Sequence, residues 1–97
     1  MGKASSTNLL PEGRAGALQR GLGSELRRRR LDAKLSQDEV SGPLTRAYLS
    51  QVESGRTMPS LAALIVLSEK LGTSAHEILR GVNVALNSEY SPRHENR

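Results

Sequence analysis

Thr45-Arg-Ala-Tyr-Leu-Ser-Gln-Val-Glu-Ser-Gly-Arg-Thr-Met-Pro-Ser60 is the stretch that decides the reading of this chain. Thr45 offers a hydroxyl cap to a short helix. Leu49 and Val52, three residues apart, form its inward face, and Gly55 supplies a left-handed stop. Arg46, Ala47, Ser50 and Gln51 are left pointing outward. A basic, hydroxyl-bearing turn, Arg56 and Thr57, leads into a Pro59-Ser60 restart. Arginine pairs bidentately with the guanine edge in the major groove, and glutamine does the same with adenine. A helix that exposes both is built to offer planar donors to a neighbour, and double-stranded DNA is the expected one.

Composition agrees without deciding the matter. The 97 residues have room for one domain, and 36% are hydrophobic with no Phe or Trp, so the core must be small and aliphatic. With no cysteine, disulfide staples and thiolate metal sites are excluded. The formal charge of +4 favours an anionic partner. No apolar run approaches a membrane span and the N-terminus has no signal-peptide segment, so a cytoplasmic, nucleoid-associated protein is expected.

The rest of the chain is read from its helix punctuation. Residues 1–21 carry Gly2, Pro11, Gly13, Gly16 and Gly21 without an apolar period and read as a flexible arm, with a nascent turn over 15–20. Residues 22–82 read as the domain and 83–97 as a polar, partly apolar tail. Helix one is expected from Gly23 to Lys34, with Leu26, Arg30 and Leu31 on one face. Ser36 and Glu39 form a capping box for helix two, which Gly42-Pro43 ends within two turns. Helix four follows Ser60, with Leu61, Leu64, Leu67 and Leu71 inward. Helix five begins at Ser74, with Glu77 completing a box, buries Ile78 and Leu79, and stops at Gly81. No segment alternates as a strand does, so the fold class is all-α, five helices.

Four words in order, Leu35-Ser36-Gln37, Tyr48 to Arg56, Pro59-Ser60-Leu61 and Leu71-Gly72, make Leu22 to Gly81 resemble the Cro and phage-repressor (Xre) type of helix-turn-helix protein. The resemblance covers about three fifths of the chain. It implies a five-helix domain whose second and third helices dock on DNA, usually as a homodimer on a palindrome. It also implies base contacts from Arg46, Ala47, Ser50 and Gln51, and phosphate contacts from Gln37, Ser54, Arg56 and Thr57. A helix-one arginine pairs with a recognition-helix glutamate in such proteins, here Arg30 with Glu53. One departure stands out: the interval from Gln37 to Thr45 is two residues short of the usual spacing. Such a deletion truncates helix two or tightens the turn, and helix three keeps its place only if Leu44, Leu49 and Val52 reach the core.

Several residues have a plainer reading beside the functional one. In Arg27-Arg28-Arg29-Arg30 four consecutive positions spray around a helix, so Arg30 is expected inward, Arg27 on phosphate and the others in solvent. Tyr48 reads either as a phosphate contact or as a partly buried ring. Arg56 suits both a helix dipole and a phosphate. His76 has no ligand partner nearby, and Ser24, Ser36, Ser60 and Ser74 read as caps, so no metal, cofactor or catalytic site is expected. Ile65 and Val66 widen the apolar stripe of helix four beyond what a small domain buries, which with Val82 marks an expected dimer face.

The expected function is therefore a sequence-specific transcriptional regulator, a repressor acting as a homodimer, and not an enzyme. The alternative on the same fold is a protein-interaction or antitoxin-like module that holds a protein partner through its C-terminal tail.

Overall fold

The computed structural model describes residues 13–89, with side chains as far as Val82. Five helices follow one another: α1 Arg14–Asp32, α2 Gln37–Ser41, α3 Arg46–Glu53, α4 Leu61–Lys70 and α5 Ala75–Glu89. Among the described residues there is no strand. The fold is all-α.

Hydroxyl caps start four of the helices. Ser36 Oγ accepts from the Glu39 N–H (3.1 Å) while the Ser36 N–H donates to Glu39 Oε1 (2.7 Å). Thr45 Oγ1 accepts from Tyr48 (3.0 Å), Ser60 Oγ from Ala63 (3.0 Å) and Ser74 Oγ from Glu77 (3.1 Å). Each satisfies a first-turn N–H that has no partner within its own helix. Ser24 is different: it lies on the exposed side of α1, far from either end, and caps nothing.

Both outer helices are longer than expected. α1 starts nine residues before Gly23, so residues 14–21, expected in the flexible arm, are helical and deliver Ala17 to the core. α5 does not stop at Gly81 but runs to Glu89, through residues 83–89 of the expected tail. In each case a glycine read as a breaker is a point of close approach. A methyl group at Gly81 would lie 2.7 Å from Glu25 Oε2, and one at Gly21 would lie 3.2 Å from Val82 Cγ1. Tertiary packing outweighs the poor helix propensity of these positions. Residues 1–12 of the arm and 90–97 of the tail lie outside the described residues, and the protein contact expected of the tail falls on residues 83–97, whose side chains lie outside the described ones.

The core is aliphatic: Leu22, Leu26, Val40, Leu49, Val52, Leu64, Leu67, Ile78 and Val82, with Leu35, Leu44, Tyr48, Met58 and Leu71 packed on its edge. α2 is a five-residue helix, yet Leu44, Leu49 and Val52 all reach this core, which keeps α3 seated despite the shortened interval before it. Three leucines expected inside are not: Leu61 is 66% exposed, Leu31 49% and Leu79 40%. Leu61 is the first residue of α4.

α1 crosses the C-terminal end of α3 at backbone distance. A methyl group at Gly23 would collide with the Val52 carbonyl oxygen and come within 2.8 Å of that of Glu53. Two turns further on, Arg30 grips the same end of α3. Its Nε donates to Glu53 Oε2 (2.7 Å), its Nη2 to Glu53 Oε1 (3.0 Å) and its Nη1 to the Leu35 carbonyl (2.9 Å). The hydrogen bond to Glu53 holds the Arg30 proton more firmly than usual, against the opposing effect of burial. A forked guanidinium–carboxylate pair with a further hydrogen bond to a backbone carbonyl is a geometry in which buried charges are tolerated.

Two outcomes follow from this crossing. Glu53→Ala leaves the Arg30 charge buried without its partner, and chemical denaturation should report a loss of about 3–5 kcal/mol. Gly23→Ala adds only a methyl group but no flexible side chain can yield to it. It should lower the melting temperature despite alanine's better helix propensity, whereas Gly72→Ser, at φ 73 with open space beyond, should cost only the left-handed strain. A Gly23→Ala protein that melts at or above the parent temperature would mean that α1 does not cross so closely.

Candidate nucleic-acid interface

α3 is amphipathic in the plain sense: Leu49, Val52 and Glu53 face inward, and Arg46, Ala47, Ser50 and Gln51 are exposed on the opposite side. Arg46 opens the helix directly after the Thr45 cap, and Ser50 and Gln51 follow one turn later. The first turn contains no acidic residue.

Gln37, the first residue of α2, joins this surface to the buried ion pair. Its Nε2 donates to Glu53 Oε1 (3.1 Å), and its Oε1 accepts from Arg46 Nε at a long 3.5 Å. Arg30, Glu53, Gln37 and Arg46 thus form a continuous polar chain from α1 through α3 and α2 to the exposed head of α3. Arg30, Ser36, Gln37, Asp38 and Arg46 line an open cleft of about 370 Å³. Gln37 is half-buried.

The turn after α3 is ordered by short local bonds. Gly55 takes φ 79, and the Arg56 N–H donates to the Gln51 carbonyl (2.9 Å). Ser54 Oγ donates to the same carbonyl (3.0 Å), and Thr57 Oγ1 meets Gln51 Oε1 (3.4 Å). Gln51 and Thr57 are therefore brought together, while Arg56 extends exposed from the turn. The Tyr48 hydroxyl accepts from the Ser60 N–H (3.4 Å) and its ring is half-buried, tying α3 to the start of α4.

The arginine run on α1 divides as the helix turns. Arg28 pairs with Glu25 and Asp32 (2.8 and 3.1 Å), and Arg29 with Glu25 (2.7 Å) and Thr73 (3.4 Å). Burial pushes the Glu25 carboxyl upward, but hydrogen bonds from Arg29 and Arg28 outweigh it and leave the group below its ordinary value. Arg27 is exposed and, by helical spacing, shares the stripe of Arg20, Gly23 and Arg30 that faces α3.

Among the residues expected at a dimer face, Val82 is 2% exposed and packs in the chain's own core, so it is not available to a second copy. Ile65 is 43% exposed, and half-buried Val66 lines an apolar groove of about 440 Å³ with Leu44, Tyr48, Ser60, Ala62 and Ala63. Sequence reading missed Gln19, whose Nε2 donates to the Gly55 carbonyl at 2.8 Å. The signal was the spacing of Gly16, Gln19, Arg20 and Gly23 along one face, hidden by the glycines that made the segment look like an arm. Among the described residues, no group of three or more His, Asp or Glu side chains is placed to hold a metal ion, and no helix is long and apolar enough to cross a membrane.

Two solved structures of the clp gene regulator ClgR from Corynebacterium glutamicum resemble this fold. One superposes with a TM-score of 0.66 at 28% identity, covering 71% of this chain and 92% of that one. The other gives 0.70 at 26% identity, covering 76% and 81%. No protein with a curated description matches. A helix-turn-helix domain family matches residues 21–80, the span that holds α2, α3 and α4 with parts of α1 and α5, and the chain belongs to that family.

Proposed function

We propose that this protein is a sequence-specific, double-stranded DNA-binding transcriptional regulator that inserts α3 into the major groove. The observation that carries the reading is the exposed head of α3. Arg46 sits at the positive end of the helix dipole, where a cation is disfavoured by roughly 0.3–1 kcal/mol, yet it is held there through Gln37. A cation kept at a helix N-terminus without an acidic neighbour in the first turn gains from an anionic or base-edge partner that the isolated protein lacks. The likeness to ClgR, a gene regulator by its name, supports the same reading, as does membership of the helix-turn-helix family.

In this reading Arg46, Ala47, Ser50 and Gln51 read base edges, and Gln37, Tyr48, Ser54, Arg56, Thr57 and Arg27 contact phosphates. The protein acts in the cytoplasm on the nucleoid and represses by occupying its operator. It binds as a homodimer on a two-fold site. Leu61 and Ile65, four residues apart on one exposed side of α4, and Val66 beside them supply the apolar surface for that contact.

Base reading and phosphate gripping separate in binding isotherms taken at several salt concentrations on selected and scrambled duplexes. Arg46→Ala should cost about 1–3 kcal/mol on the selected site and relax preference at one base pair. Arg56→Ala should weaken both duplexes alike and flatten the salt dependence by about one contact. The opposite pattern would place α3 wrongly on the DNA.

Ile65→Glu, at an exposed position, should leave the melting temperature near that of the parent while weakening self-association in sedimentation and operator binding together. Tight operator binding by a protein that sediments as a monomer at every concentration would reject the dimer.

A further inference from the structure

The start of α1 is weakened locally: its first turn holds no acidic residue, and Gly16 and Gly21 interrupt a run of good helix formers. What holds this extension is tertiary: Ala17 and Leu22 in the core, Gly21 against Val82, and the hydrogen bond from Gln19 to Gly55. Arg20 adds to the contact, its Cγ and Cα lying 3.1 and 3.3 Å from where a Gly55 side chain would begin.

The place where Gln19 acts is specific. The peptide joining Gly55 to Arg56 is gripped from both sides. Its carbonyl accepts from Gln19 of α1 at 2.8 Å, and its N–H donates to the Gln51 carbonyl of α3 at 2.9 Å. Since a peptide unit is planar, holding both ends fixes its orientation and with it the direction in which the Arg56 side chain leaves the turn. Gly55, at φ 79, is the residue whose dihedrals would otherwise let that plane rotate.

We propose that Gln19 is a positioning residue for the DNA-backbone grip: it clamps the Gly55–Arg56 peptide, so that order in the α1 extension and the strength of the Arg56 phosphate contact rise and fall together. This rests on the DNA-binding reading above and deepens it. Gln19 touches no DNA in this scheme; it acts through Arg56. It also gives the extension a role that core packing alone does not require.

The test is a double-mutant cycle in the full chain, read as affinity for a short mixed-sequence duplex at several salt concentrations. Gln19→Met keeps the length and neutrality of the side chain and removes its donor. It should weaken binding about fivefold, the size of one neutral hydrogen bond, in the parent and leave affinity unchanged in an Arg56→Ala background. Gly16→Ala, where the added methyl meets only the mobile end of Arg20 at 3.1 Å, should firm the extension and tighten binding in the parent but not with Gln19→Met. An equal loss from Gln19→Met in both backgrounds, or no loss in either, would overturn the proposal while leaving DNA binding intact. A parent protein that binds no duplex would remove the reading beneath it and the proposal with it, whereas an Arg56→Ala protein that binds as the parent does would overturn the proposal alone.

Discussion

The contact on which the rest of the structure depends is the crossing of α1 over the C-terminal end of α3. Gly23 brings the two backbones together, and Arg30 closes on Glu53 two turns later. A backbone contact is stiff because no rotamer can absorb a displacement, and the forked ion pair is directional because both carboxylate oxygens are engaged. Together they fix the position of α3 and also its rotation about its own axis. That rotation decides whether Arg46, Ser50 and Gln51 face outward or Leu49 and Val52 do.

Polar and close-approach contacts carry so much here because the core is small. With no Phe or Trp, the aliphatic side chains cannot fix helix angles through large shape-specific surfaces. Gly21, Gly23 and Gly81 compensate by letting helices approach at short range, and Glu25 and Glu53 each collect arginine donors at such a crossing. Gln37 extends the second of these networks to the surface, so the exposed head of α3 is linked by hydrogen bonds to the buried pair behind it. α2 tolerates its brevity because the capping box secures one end and Val40 and Leu44 anchor the other.

The molecule also has two unlike surfaces. The head of α3 and the turn after it present Arg46, Gln51 and Arg56, whereas α4 presents Leu61 and Ile65 beside the groove at Val66. A basic, donor-rich face and an apolar one thus lie on separate elements.

The sequence by itself determined the helix starts at Ser36, Thr45, Ser60 and Ser74, the stop at Gly55 and the inward pair Leu49 and Val52. Caps and left-handed stops depend on residues a few positions apart, so their physics is written locally. It also made the outward set on α3 legible, because 3.6-residue periodicity leaves those positions no other side. Tertiary structure alone decided where α1 begins and that α5 continues past Gly81, since a glycine in a helix reads as a breaker until the element packed against it explains it. It decided that Leu61, Leu31 and Leu79 stay exposed while Val82 is enclosed, because periodicity defines a face but not how far the neighbouring helices extend over it. And it joined Gln19 to Gly55 and Gln37 to Glu53: contacts between residues so far apart in sequence arise from how helices cross, which no local pattern encodes.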